Sequence, residues 1–287
     1  MTDFPVIEQK EKRFPKKRRR LLVILGIFLF VGAVGGVIER QRMVTPKEAI
    51  NPMFWVRYLK GEDLFDERQA LLLHGNRSLP EVALTFDDGP HPEGRSAILD
   101  ILKKYGIHAT FFDVGKRIEE RPDLVLRSEE EGHEIANHSM YHNRLPKMNA
   151  KSLHREINDA DIAYCEVTSK HLRFFRPPGM QYDEVVLAEL KAKGYLTVSY
   201  SALAGDFDEQ TSPDVIAERI VHNTRNGAII LLHDYAPTVR ALPTILDKLK
   251  AEGYRFVTLS EMVSHLPRKP RLAAQKLLSA NLGCLER

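Results

Sequence analysis

The chain has 287 residues, 43% hydrophobic and 28% charged, an ordinary globular composition for one large α/β domain or two smaller ones. Its formal charge of +3 is uneven. Residues 1–44 hold 10 Lys/Arg against 4 Asp/Glu and the rest is slightly acidic, so the globular part offers no nucleic-acid patch. Two cysteines, Cys165 and Cys284, make neither a disulfide framework nor a Cys-type zinc site.

Residues 10–20, KEKRFPKKRRR, carry eight basic residues and one acid. Residues 21–38 follow without a charge, and as a helix they would span about 27 Å, close to the hydrocarbon thickness of a bilayer. By the positive-inside rule the basic segment 1–20 stays in the cytoplasm and everything after Glu39 lies outside. A cleaved signal peptide is the competing reading, with GAVGG near the end of the run. The length of the run and the lack of an A-x-A site favour an uncleaved single-pass anchor over 21–38. Residues 39–80 read as a connector. Thr45-Pro46-Lys47-Glu48 has the pattern of a helix start, and 62–73 reads as a short amphipathic helix ending near His74-Gly75-Asn76. Phe54, Trp55 and Tyr58 suit either a membrane interface or packing against the domain.

From Val82 onward short apolar runs alternate with longer helical patterns. Strands are predicted over 82–86, 108–114, 133–136, 173–176, 195–200, 228–232 and 255–259. Helices are predicted over 96–105, 117–131, 150–168, 183–193, 213–223 and 239–251. Gly106, Gly132, Gly194 and Gly253 fall where helices should stop. Such alternation means right-handed βαβ units and a parallel sheet, as a compact barrel or a doubly wound sheet.

The polar residues fall at strand ends. Asp87 and Asp88 in VALTFDDGP follow the first strand, and His138 and His142 in NHSMYH follow the third. Arg176 in FRPPG ends the fourth, Asp206 comes after the fifth, and His233 in LLHD ends the sixth. Reactive side chains in α/β proteins converge at the carboxyl ends of strands, so all of these can face one mouth. Taken singly, each has a plain alternative. Asp-Asp-Gly-Pro is turn chemistry, Arg176 has surface carboxylates to pair with, and Asp206 suits a turn. His233 suits a core histidine with Asp234 as its local partner. Two histidines four apart stack on one side of a helical turn, but such pairs are common in a chain with 11 histidines. With one carboxylate they form a His₂Asp set that leaves a position for water.

TFDDGP (85–90), ATFF (109–112), HSMYH (138–142), FRPPG (175–179) and LLHD (231–234) occur in this order. Together they resemble the motifs of the polysaccharide deacetylases with a NodB-homology domain, carbohydrate esterase family 4. The resemblance covers residues 81–266 and leaves a tail, 267–287. It implies an α/β fold, a distorted (β/α) barrel of about seven strands, here preceded by a single transmembrane helix. It further implies a divalent metal on Asp88, His138 and His142, zinc before cobalt, manganese or nickel. Asp87 resembles the general base, held by Arg176, and His233 the general acid, with Asp206 its partner. A backbone N–H at Gly179 would meet the oxyanion, and Leu231 would line a pocket for the acetyl methyl. Two positions depart from the pattern: Gly179 stands where an aromatic is usual, and Phe207 where a tryptophan is. Both bear on substrate shape more than on chemistry.

The activity so implied is removal of N-acetyl groups from an extracytoplasmic N-acetylhexosamine polysaccharide, peptidoglycan- or chitin-like, with release of acetate. The rival within enzymes is an O-acetyl esterase on xylan-like glycans; the rival outside them is a catalytically silent glycan-binding scaffold. The expected partners are the acetylated polysaccharide and the membrane, with no nucleic acid, and no pattern speaks to oligomeric state. The tail, with five basic residues and one acid, reads as a short surface helix in preference to a contact with an anionic envelope.

Overall fold

The computed structural model describes residues 51–60, 63–208 and 210–279. The basic segment, the expected anchor at 21–38 and the helix start at 45–48 lie outside the described residues. Among the described residues no helix is long and apolar enough to cross a membrane. In chain order the first elements are α1 (Pro52–Lys60), β1 (Phe65–Asp66), β2 (Leu71–Leu72), β3 (Glu81–Gly89) and α2 (Pro92–Tyr105). β4 (Thr110–Asp113), α3 (Gly115–Glu120), α4 (Pro122–Glu130), β5 (Glu134–Asn137), α5 (Ala150–Thr168) and β6 (Phe174–Phe175) follow. Then come α6 (Glu184–Ala192), β7 (Leu196–Val198), β8 (Ala202–Leu203), α7 (Pro213–Asn223) and β9 (Ala228–His233). α8 (Ala236–Ala251), β10 (Arg255–Val257), α9 (Leu259–Ser264) and α10 (Arg268–Leu278) complete the chain.

β3 is the axis. It is buried on both faces, as a parallel strand covered on both sides must be. β9 runs parallel along one edge, from Val82 opposite Ala228 to Asp87 opposite His233. The other edge is shared, β10 taking its amino half and β4 its carboxyl half. β5, β6 and β7 continue the sheet in parallel, and β8 adds to the far edge of β9. The short stretch that carries β7 and β8 therefore bonds to β6 at its start and to β9 at its end, and the sheet curls back on itself. All seven expected strands are present in this curled α/β sheet.

The period-2 alternation sorts the core into two layers. Val82, Leu84 and Phe86 of β3 face outward and pack under α2, α7 and α8, as do Phe111, Ile230 and Leu232 on the neighbouring strands. Ala83, Phe112, Ala136, Phe174 and Ile229 face inward, where Met262 of α9 and Ala274 of α10 close the amino-terminal end of the curl. The other end stays polar.

Three local readings differ from expectation. Residues 63–73 hold β1 and β2 instead of a helix, because the Asp66 carboxylate accepts from Arg68 N and Gln69 N and closes a side-chain turn. The helix expected over 117–131 breaks in two at Arg121, since Pro122 lacks an N–H and restricts the residue before it. The connector also contributes α1, where Phe54 is buried beneath the Arg77 guanidinium, 5.1 Å from its ring centroid.

Close approach makes Gly89 irreplaceable. A Cβ at Gly89 would overlap the Arg95 guanidinium and the Asp234 carboxylate, both fully buried. Gly89→Ala is expected to cost about 2–3 kcal/mol of stability, read as a lower urea midpoint at unchanged slope.

Candidate active site

The carboxyl end of β3 is irregular. Asp87 lies opposite Phe112 of β4, but the next residue in register with β4 is Gly89, opposite Asp113. Asp88 is the extra residue, and it sits in the left-handed region at φ 67°. A bulge of this kind re-aims one side chain. Adjacent residues of a regular strand point to opposite faces, yet here both carboxylates reach the same imidazole. His138 Nε2 lies 3.3 Å from Asp88 Oδ1 and 3.9 Å from Asp87 Oδ2.

Asp87 is held from below. Arg176, fully buried, donates from Nη1 to Asp87 Oδ1 at 2.6 Å and to Thr85 Oγ1 at 2.8 Å. Its Nε and Nη2 donate to the carbonyls of Val198 and Ser199, and the guanidinium lies over the Phe112 ring at 4.1 Å. Burial pulls this guanidinium below its ordinary value and the Asp87 carboxylate opposes the shift. An arginine stays charged regardless.

The two histidines come together on a loop rather than the expected helical turn. Ser139 N donates to Asn137 Oδ1 and His142 N to Ser139 Oγ, so two side-chain turns shape the stretch. His138 Nδ1 is 2.7 Å from the Arg176 carbonyl, which can only accept, so the ring carries its proton at Nδ1 and leaves Nε2 as a lone pair. Nε2 of His142 is 3.1 Å from the same Asp88 Oδ1. The three ligand atoms lie within 4.8 Å of one another, and Asp88 Oδ1 is buried without a hydrogen-bond partner. Converging acceptors with an orphaned carboxylate oxygen fit a divalent cation, and His₂Asp with an open position is a zinc-type donor set. Burial works to raise the Asp88 carboxyl, but His138 and then His142 outweigh it and hold it well below the usual carboxylate range. The Asp88 carboxylate raises His142 in return, against its partial burial.

His233 ends β9 directly beside Asp87 in register. Its partner is Asp206, not the adjacent Asp234. Asp206, fully buried, takes Nδ1–H at Oδ1 (2.9 Å) and the His233 backbone N–H at Oδ2 (2.7 Å), while Thr238 also donates to Oδ2 at 2.6 Å. Burial disfavours the imidazolium, yet Asp206 first and then Asp87 and Asp88 raise the His233 pKa. Phe207 lies edge-on to His233, centroids 6.1 Å apart. Leu231 is on the same face of β9, two residues deeper, and packs into neither core layer. Gly179 turns the Pro178–Met180 3₁₀ segment at φ 58°, and a Cβ there would touch only the Gln181 side chain. That spot in the wall is open.

Two features escaped the sequence reading. Tyr235 donates its hydroxyl to Asp88 Oδ2 at 2.8 Å and stacks on His233. Behind the turn, buried Arg95 pairs with Asp113 and, at 2.8 Å, with Asp234, and burial pushes the Asp234 carboxyl up to about 6. Asp113 ends a strand as Asp87 does, so the strand-end rule applied to β4 would have found it. Arg95 lies inside a helical pattern and gave no signal.

The profile of the family described as Polysaccharide deacetylase matches residues 74–198. A peptidoglycan-N-acetylglucosamine deacetylase of Bacillus cereus is 40% identical over 190 residues, 64% of this chain and 88% of that protein. The crystal structure of the Bc1960 peptidoglycan N-acetylglucosamine deacetylase superposes with a TM-score of 0.66 at 34% identity, covering 68% of this chain and 94% of that one. A family 4 acetyl xylan esterase from Clostridium thermocellum, solved with a cobalt ion, gives 0.62 at 33% identity, covering 67% and 95%.

Replacing Arg176 strips the buried Asp87 carboxyl group of its cationic partner. Arg176→Met is expected to cost about 3–5 kcal/mol in urea unfolding at neutral pH, and Asp87→Asn in the same background to recover part of it.

Proposed function

This chain belongs to the polysaccharide deacetylase family, and we propose that it is a metal-dependent hydrolase that removes N-acetyl groups from an N-acetylhexosamine polymer, peptidoglycan first, outside the cell membrane. The observation that carries the reading is the grouping of three units at one mouth: Asp88 with His138 and His142, Asp87 on Arg176, and His233 on Asp206. The 40% identity to a peptidoglycan-N-acetylglucosamine deacetylase supports the substrate class. The basic segment followed by an uncharged run of membrane length supports anchorage with the domain outside.

In this reading Asp88, His138 and His142 hold a divalent cation, zinc before cobalt, manganese or nickel. When bound, such an ion lowers the pKa of a water towards about 7 and polarises a carbonyl oxygen. Asp87, held in place by Arg176, accepts the proton that the water loses as its oxygen bonds to the acetamide carbon. The backbone N–H at Gly179 serves the oxygen on which negative charge develops. His233, kept as imidazolium by Asp206, gives its proton to the amine nitrogen as the C–N bond breaks. Acetate and a free amine leave, and the two residues exchange their protons with solvent. Leu231 packs against the acetyl methyl.

The test is acetate release by the full chain from N-acetylglucosamine oligomers and peptidoglycan, beside O-acetylated xylan, before and after chelation. Release from the amide substrates is expected to vanish on chelation and return with Zn²⁺. Asp87→Asn is expected to lower kcat by about 10²–10⁴-fold with metal content unchanged. Release confined to acetylated xylan would favour the esterase reading, and silence on all of them with metal bound would favour the scaffold.

The pH profile carries a sign. A general acid must be protonated, and the raised pKa of His233 keeps it so further into the alkaline range. Asp206→Asn removes the main opposing charge, so the alkaline limb of kcat/KM is expected to move to lower pH by about 1–3 units. An unmoved limb would assign it to another group.

A further inference from the structure

Tyr235 follows LLHD and caps the start of α8. Its hydroxyl donates to Asp88 Oδ2 at 2.8 Å. The other oxygen, Oδ1, is the one that faces His138 Nε2 at 3.3 Å and His142 Nε2 at 3.1 Å, and it has no hydrogen-bond partner. The two oxygens of a carboxylate are equivalent until something distinguishes them. At Asp88 that is the phenol. The backbone of Asp88 is tethered separately, since its carbonyl accepts from Arg117 Nη1.

The Tyr235 ring is itself held. It lies parallel to the His233 imidazole, 4° between planes and 5.4 Å between centroids, and His91 meets the ring edge-on at 6.2 Å. One side chain thus touches the carboxylate that closes the His₂Asp set and the imidazole across the mouth. Its reach ties the end of β9 to the bulge of β3.

We propose that Tyr235 is a positioning residue that presents Asp88 Oδ1, and not Oδ2, to the divalent cation. It acts through Asp88 and needs no contact with substrate. A donor on the second oxygen leaves one lone-pair-bearing atom facing the imidazoles and disfavours two-oxygen coordination, which would crowd the position left for water. The assignment rests on the metal-dependent reading above.

The experiment uses the full chain stripped of metal, with wild type, Tyr235→Phe and Tyr235→Leu compared. Zn²⁺ affinity is measured by competition with a chromophoric chelator, Co²⁺ binding by its visible absorption bands, and the metal-free fold by thermal unfolding. Tyr235→Phe keeps the ring and loses only the hydroxyl. It is expected to weaken Zn²⁺ about 10–100-fold and to alter the Co²⁺ bands, with metal-free unfolding unchanged. Tyr235→Leu is expected to lose the same affinity and no more. Wild-type affinity and bands in Tyr235→Phe would overturn the assignment, as would a loss of affinity matched by destabilisation of the metal-free protein. A wild type that takes up no metal would instead overturn the metal-dependent reading, and this assignment with it.

Discussion

The carboxyl end of the curled sheet depends on one buried cation. Arg176 has no solvent to charge against, so its guanidinium must be satisfied by protein, and every partner it takes fixes a piece of the site. Thr85 and Asp87 tie it to β3, the Val198 and Ser199 carbonyls tie it to β7, and the Phe112 face carries its plane. Its own carbonyl orients His138 through Nδ1. One residue at the end of a two-residue strand thereby sets the position of a carboxylate and the tautomer of an imidazole.

The bulge at Asp88 solves a problem that a regular strand cannot. Two neighbouring carboxylates on one face would repel, and each would push the other towards protonation. Here they share a mouth but their nearest partners differ: Asp87 turns to Arg176, and Asp88 turns to the imidazoles, with His138 nearer to it than to Asp87. Opposite them, Asp206 anchors His233 as Arg176 anchors Asp87, and it raises the imidazole's pKa against burial. The site is a set of polar side chains, each fixed by its own partner.

Much of this was legible before any coordinates, for physical reasons. Apolar runs punctuated by Lys-Gly and Glu-Gly stops mark the long elements, and polar residues at strand ends mark the mouth, because a parallel sheet has nowhere else to put them. The errors are equally physical. β1, β2 and β8 are two-residue pairs without a periodicity to read. The Asp66 turn hid in a sequence whose leucines also fit a helix. His138 and His142 meet through hydroxyl and amide turns rather than helical spacing. Asp234, the plain local alternative for His233, faces Arg95, while Asp206 is the partner that the family resemblance implies. Tyr235 was missed because an aromatic after a strand looks like packing.

The division of labour between the two adjacent carboxylates is the central claim, and metal binding tests it without substrate. Zn²⁺ titrations of the metal-stripped full chain should be run on wild type, Asp87→Asn and Asp88→Asn. The account predicts one equivalent bound by wild type and by Asp87→Asn, and an affinity at least about 100-fold weaker in Asp88→Asn. Loss of binding in Asp87→Asn with retention in Asp88→Asn would contradict it.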